Sequence, residues 1–380
     1  MLRESFNIET IFNKLFGGFD LVLLSILFSL FAVSTVAIYS AAIGENINIS
    51  QHWRNVGLCF ILIWIVAQIP IYTLMKFAIP LYTIGVLLLI SVAMFGLVKK
   101  GARRWIDLGV IIQPAELMKI AMPLMLAWYF HKREQFIRYW DFIVGLVILL
   151  IPCILIAKQP DLGTAILVFA AGFYVIFFAG FSWKIILPIL TLLIICIFLI
   201  ITYQDNICAS NQSWQPLFHD YQKYRVCTLL NPNTDPLGKG FHILQSMIAI
   251  GSGGLSGKGW LKGTQTHLEF IPEKHTDFIF AVYSEEFGFI GNIVLLLLYS
   301  LLIFRSLYIA SKANLLFSKL VGSAIALMFF TYAFVNMSMV IGILPVVGIP
   351  LPFMSYGGTA LVTLGMGIGI LMSIARHNNN

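Results

Sequence analysis

The sequence predicts an all-α integral membrane protein with about ten transmembrane helices and one large extracytoplasmic loop. Three observations predict it. Of the 380 residues, 59% are hydrophobic and 11% charged, whereas soluble domains run near 45–50% apolar and about 25% charged. Mean hydropathy is +0.90. Long Leu/Ile/Val/Phe runs recur at the roughly 20-residue length that one membrane crossing takes, without the polar–apolar alternation of barrel strands.

The spans follow in order. The run near 19–43 is too long for a signal-peptide core and, despite Ser40-Ala41-Ala42, reads as an uncleaved first span. The second, near 54–70, stops at Pro70, and the third covers 76–98. The fourth, 114–131, opens on Pro114; the fifth and sixth, 141–158 and 161–180, meet at Pro160. The seventh is 183–203. The only long polar stretch, 204–276, follows, and within it Asp220 to Leu230 and Phe241 to Ile250 read as short amphipathic helices. Spans near 277–305, 316–344 and 353–376 complete the chain, the last starting at Pro352. Residues 1–380 thus form one polytopic domain, without internal repeats.

Charge sets the orientation. With the N-terminus cytoplasmic, Arg3, Lys14, Lys76, Lys132, Arg133, Arg138, Lys184, Arg305, Lys312, Lys319 and Arg376 lie inside. Short outer connections hold only Arg54, Lys99, Lys100, Arg103, Arg104 and Lys158, as the positive-inside rule requires. The formal charge of +7 does not indicate nucleic acid, because the basic residues are dispersed rather than gathered in a stripe. Cys59, Cys153 and Cys196 lie in apolar runs and read as core thiols. Cys208 and Cys227 share the polar loop; pairing in an oxidising compartment and two free thiols are both open.

In this orientation Glu116, Asp161, Asp277, Glu285 and Glu286, with Arg103, Arg104 and Lys119, fall at the outer ends of spans. Ionisable groups at membrane depth are costly and face a polar cavity or a partner, so both signs at one level predict a single outward-opening charged cavity. In Lys100–Gly109 and Gln113–Lys119, Pro114 and Glu116 suit a helix start and Glu116/Lys119 an i,i+3 pair. Two arginines and a deeper lysine also suit phosphate oxygens. Asp161, after Gln159-Pro160, is read equally as a helix opener and as a functional carboxylate. Thr276 can cap a helix holding Asp277 in its first turn, where a general base or metal ligand would also sit. Glu285 and Glu286, two turns deeper, read as interhelical hydrogen-bonding groups. The Gly251–Trp260 run lacks the nucleotide-binding G-x-x-x-x-G-K-[ST] pattern and reads as a tightly packing loop. Gly342–Gly358, dense in Pro and Gly, breaks a helix, which is tolerated at depth only where protein-buried or cavity-lining; Ser355 and Tyr356 are its candidate donors.

These five segments, in this order and spacing, resemble the SEDS family of bacterial cell-wall proteins over essentially the whole chain. Leu344–Pro352 and Phe270–Ala281 resemble its elongation-specific branch rather than its division branch, while Ala115 stands where the family often has Ser. The resemblance implies a ten-helix peptidoglycan glycosyltransferase of the bacterial cytoplasmic (inner) membrane. It would polymerise lipid II into glycan strands on the periplasmic face, with residues 204–276 as a periplasmic loop and both termini cytoplasmic. A class B penicillin-binding protein, the elongation machinery and a divalent cation, Mg or Mn, are the implied partners and cofactor. Asp277 takes the place of the essential Asp, as base or metal ligand, with Arg104, Glu116, Lys119, Asp161 and Ser355 around the substrate. A lipid II flippase and a non-catalytic scaffold are the competing expectations.

Overall fold

A computed structural model describes residues 19–42, 49–99, 102–107, 109, 111–203, 208, 227–230, 239–267 and 273–377. Among the described residues, ten long helices match the ten expected spans: α1 (Leu21–Ala41), α2 (Ile49–Ala67), α3 (Ile71–Phe95), α4 (Pro114–Lys132), α5 (Tyr139–Lys158), α6 (Leu162–Phe178), α7 (Trp183–Thr202), α10 (Ile279–Lys312), α11 (Leu316–Val340) and α12 (Thr359–His377). Eight are long and apolar enough to cross a membrane. The other two, α4 and α6, have a polar first turn and 17 residues respectively. Among the described residues of the long loop are two shorter helices with defined bounds, α8 (Lys239–Ser252) and α9 (Thr264–His267). The expected helix at 241–250 is α8; the one at 220–230 lies mostly outside the described residues, with 227–230 helical.

Span ends differ from expectation where a polar residue can open a helix. The second span begins at Ile49 rather than near 54, and the tenth at Thr359 because 341–358 is irregular. Asp277 is not in the first turn of its helix: α10 starts at Ile279 with Phe278 as N-cap, and Thr276 instead bonds Glu273. No strand was expected, yet β1 (Leu97–Lys99), β2 (Ala102–Asp107) and β3 (Ile111–Ile112) form an antiparallel sheet between α3 and α4.

Helices α4, α6, α11 and α12 form the centre, and α11 is the most enclosed span. Small residues let helices approach where lipid supplies no hydrophobic drive. On α12, a Cβ at Gly365 would lie 2.8 Å from Cys59 Sγ and one at Gly369 2.6 Å from Val66 Cβ, both on α2. By contrast, Ile186 alone is buried among the described side chains of α7. Cys208 and Cys227 are disulfide-bonded, with Cα atoms 5.8 Å apart. At the end away from the sheet, Arg305 of α10 binds the α1 N-cap Asp20 through two nitrogens at 2.6 and 3.1 Å, and Arg133 meets Asp141 at 3.0 Å. These pairs lock helix ends.

Candidate active site

The predicted charges gather at the end that carries the sheet. Strand β2 sends successive side chains to opposite faces. Arg103 therefore turns to the Ala93 carbonyl of α3, while Arg104 turns inward to Asp161, 3.8 Å away, and to the Pro160 carbonyl. Asp161 caps α6, accepting from Thr164 N at 3.3 Å, and takes a second hydrogen bond from Gln113 Nε2 at 2.8 Å. It both opens the helix and orients Arg104. Gln113 in turn is the N-cap of α4.

One turn into α4, Lys119 is 2% exposed. It donates to Glu116 at 2.5 Å and to the Tyr332 hydroxyl of α11 at 2.8 Å. Thr363 of α12 donates to the other Glu116 oxygen at 3.0 Å. The i,i+3 pair is thus extended by partners from two further spans, which fix the ammonium at depth. Beneath it the α4 core continues as Met122, Leu126 and Phe130, all 0% exposed.

Asp277 is positioned by the irregular segment 341–358. Asn336 Nδ2 donates to the Asp277 carbonyl at 2.8 Å and to the Ile349 carbonyl at 2.7 Å. Ser355 Oγ donates to the Thr276 carbonyl at 2.6 Å and accepts from Leu351 N at 2.7 Å. Ser355, expected to face substrate, has its hydroxyl committed to two backbone groups beside Asp277. Tyr356 N donates to the His275 carbonyl at 2.8 Å. Gly348, at φ +76°, a backbone conformation that favours glycine, lies against the carboxylate: a Cβ there would be in ordinary contact with Asp277 Oδ2 at 3.5 Å.

The three groups are linked. Tyr332, which holds Lys119, and Asn336, which holds Asp277, are one turn apart on α11, a rise of about 6 Å. On the other side the first turn of α6 abuts the same segment, since a Cβ at Gly163 would meet the Val347 carbonyl at 2.8 Å. Asp161 and Asp277 therefore flank residues 347–349. Sequence reasoning missed Gln113, Tyr332, Asn336 and Thr363. Asn336, a lone amide inside an apolar run, was the one with a readable signal.

Glu285 and Glu286 are 0% and 1% exposed and serve a different structure. Helix α10 breaks at Gly288 (φ 63°, ψ −159°). A break orphans backbone groups that lipid cannot satisfy. Here the Gly-rich loop satisfies them: Lys258 N and Gly259 N donate to the Glu285 and Glu286 carbonyls at 3.0 Å, and Phe289 N and Ile290 N to those of Gly254 and Leu255 at 2.9 and 3.1 Å. Glu285 Oε1 accepts from Lys258 Nζ at 2.7 Å, Thr264 N at 2.8 Å and Gln265 N at 3.0 Å. Glu286 accepts from Leu261 N at 3.2 Å and from Ser40 of α1. Interhelical bonding thus holds for Glu286, whereas Glu285 grips the loop.

Fold and site together define a multi-pass helical membrane protein with cations and carboxylates from separate spans converging at one end. Residues 18–380 match the family model described as cell cycle protein, FtsW/RodA/SpoVE. The peptidoglycan glycosyltransferase MrdB of Escherichia coli K12 is 45% identical over 99% of this chain and 98% of its own length. The peptidoglycan glycosyltransferase RodA of Treponema pallidum is 32% identical over 94% of this chain and 98% of its own. Among solved structures, a chain described under structural coordination of polymerization and crosslinking by a peptidoglycan synthase complex superposes with TM-score 0.78 at 32% identity, covering 95% of this chain and 98% of that one. The rod shape determining protein RodA of Thermus thermophilus gives 0.69 at 27% identity, covering 96% and 99%. The chain belongs to the FtsW/RodA/SpoVE family.

Proposed function

We propose that this protein is a peptidoglycan glycosyltransferase that polymerises lipid II, with Asp277 at the reacting centre on the periplasmic face and both termini in the cytoplasm. The observation that carries the site assignment is the convergence on α11, where Tyr332, bonded to the Lys119 ammonium, and Asn336, bonded to the Asp277 carbonyl, stand one turn apart. The names of its relatives support the activity.

In this reading the acceptor sugar's 4-hydroxyl attacks the anomeric carbon of the donor. Its proton passes to the Asp277 carboxylate. The new C1–O4 bond forms as the C1–O bond to undecaprenyl pyrophosphate breaks, and the electron pair leaves with the pyrophosphate. Arg104 and Lys119 are fixed positive groups for that developing charge, oriented by Asp161 and Glu116. An α-linked donor giving a β-linked product requires inversion, hence one displacement with a carboxylate base, as in inverting glycosidases. Among the described residues no three His, Cys, Asp or Glu side chains gather to hold a metal ion. The expected divalent cation would be held by Asp277 without a full protein set, and would supply Lewis-acid assistance there. A class B penicillin-binding protein is the proposed partner, and the synthase complex to which a similar chain belongs supports it.

The flippase reading needs a polar path to the opposite end of the bundle, where the buried apolar residues Met122, Leu126 and Phe130 stand beneath Lys119. The test is polymerisation of lipid II by purified protein with its partner. Asp277→Ala is expected to lower the rate by about 10²–10⁴-fold with the melting temperature retained. Full activity in that variant overturns the assignment.

A further inference from the structure

Glu273 stands four residues before Asp277 in a left-handed backbone conformation, φ +50°, although it is not glycine. That conformation crowds Cβ against the carbonyl oxygen that follows it and is uncommon outside Gly, Asn and Asp. Glu273 is exposed, so burial of its own side chain does not impose it. Strain of this kind persists where the surrounding structure over-determines it, and it clusters at functional sites. The local hydrogen bonds show what it secures. The Glu273 carbonyl accepts from Thr276 N at 3.0 Å and from Phe278 N at 3.4 Å, the amides on either side of Asp277. The Thr276 hydroxyl faces the same carbonyl and the Glu273 carboxylate Oε2, each at 3.2 Å. The turn is pinned on both flanks. Lys274, 0% exposed, donates to the Thr266 carbonyl at 3.2 Å, and Ser355 donates to the Thr276 carbonyl at 2.6 Å.

A backbone carbonyl is aimed by the two soft dihedrals of its own residue. Relaxing Glu273 to a right-handed conformation would swing its carbonyl off both amides and free the backbone on either side of Asp277. We propose that Glu273 is a positioning residue for the transfer reaction: its left-handed backbone aims one carbonyl at the amides flanking Asp277, its carboxylate holds Thr276, and the turn 273–278 thereby fixes how Asp277 enters the site. The proposal rests on Asp277 as the reacting carboxylate for its effect on turnover, whereas the turn itself is testable without that reading.

Four substitutions at this position separate backbone from carboxylate. Glu273→Gln keeps an acceptor for Thr276 and should hold kcat within about 2-fold. Glu273→Gly adopts positive φ freely and should stay within about 3-fold. Glu273→Ala keeps the Cβ without the carboxylate and should lose about 5-fold, the equivalent of one hydrogen bond. Glu273→Val, whose branch makes positive φ a genuine outlier, should lose about 10²-fold, as a misplacement of about 1 Å does. The KM for lipid II and the melting temperature should not move. Hydrogen exchange read by mass spectrometry over 273–278 should be at the wild-type rate in Glu273→Gly and about 10-fold faster in Glu273→Val. Where Glu273→Val does not fold, the order of Gly above Ala in kcat decides. The proposal is overturned if all four substitutions lower kcat equally, which would make the carboxylate itself the working group. It also fails if Ala matches Gly, if KM rises while kcat holds, or if exchange is the same in the Gly and Val variants. Should Asp277→Ala remain active while the exchange difference holds, the catalytic reading falls and the turn assignment stands.

Discussion

Helix α10 is interrupted at Gly288, and the chain between α11 and α12 runs without regular structure from 341 to 358. Both are stretches of open backbone in a helical bundle, but they are satisfied in opposite ways. At Gly288 the missing hydrogen bonds are supplied by other backbone, from residues 254–259, across Gly257, which has no space for a side chain. A Cβ at Gly257 would fall 2.0 Å from the Glu286 carbonyl. In 341–358 the carbonyls are met by single side chains from distant spans: Ser34 to Met354, Tyr299 to Pro352, Asn336 to Ile349. The first arrangement is a latch. The second is a cradle, in which each contact can be tuned separately, and Asp277 sits on it. Backbone-to-backbone closure serves rigidity, whereas side-chain closure leaves room for chemistry.

The sharpest way to break this contrast is to damage the latch. Glu285→Ala leaves Lys258 without its carboxylate and several backbone N–H groups without an acceptor. Each buried donor left unsatisfied costs about 1–3 kcal/mol, so little folded protein should survive detergent size exclusion. A monodisperse, active variant would mean that the loop is not a stability element. Gly257→Ala, at φ +77° and in overlap with Glu286, should lower stability by about 1–3 kcal/mol in a thermal melt, with the specific activity of the surviving folded fraction unchanged.

The cradle should respond the other way. Asn336→Leu orphans the carbonyls of Asp277 and Ile349. Its stability cost is about 1–3 kcal/mol, but turnover should fall further than the folded fraction does. Equal falls would reduce Asn336 to packing. Ser355→Ala should cost about 1 kcal/mol and a few-fold in kcat. Tyr332→Phe removes one of two partners of Lys119 and should change kcat least, with a rise in KM for lipid II as its signature.

The spans were legible because apolar runs of fixed length admit one interpretation in lipid, and Pro70, Pro114 and Pro160 marked their ends. The charged end was legible because Lys119 and Glu116 have no business in a span without partners. The sheet around Arg104 was not: its strands are two to six residues long, too short for a period to emerge, and so the divergence of Arg103 from Arg104 stayed hidden. The backbone contacts of Ser355 stayed hidden for a similar reason. Its partners, Thr276 and Leu351, are backbone groups, and one is 79 positions away, so side-chain chemistry alone does not indicate them. Glu285 and Glu286 could be placed at depth, but their grip on the glycine loop depends on the helix break at Gly288, which a single glycine in an apolar run does not announce.

The order in which the chain is made gives the latch a further meaning. Lys258 reaches Glu285 over 27 residues and Gln265 over only 20, so that corner can close as soon as the start of α10 has left the ribosome. Asp277 must wait for Asn336, Ile349 and Ser355, the last of them 79 residues downstream of Thr276. During biogenesis this corner can therefore form while the Asp277 backbone still lacks its supports, and a chain stalled before α11 would carry the latch without the cradle.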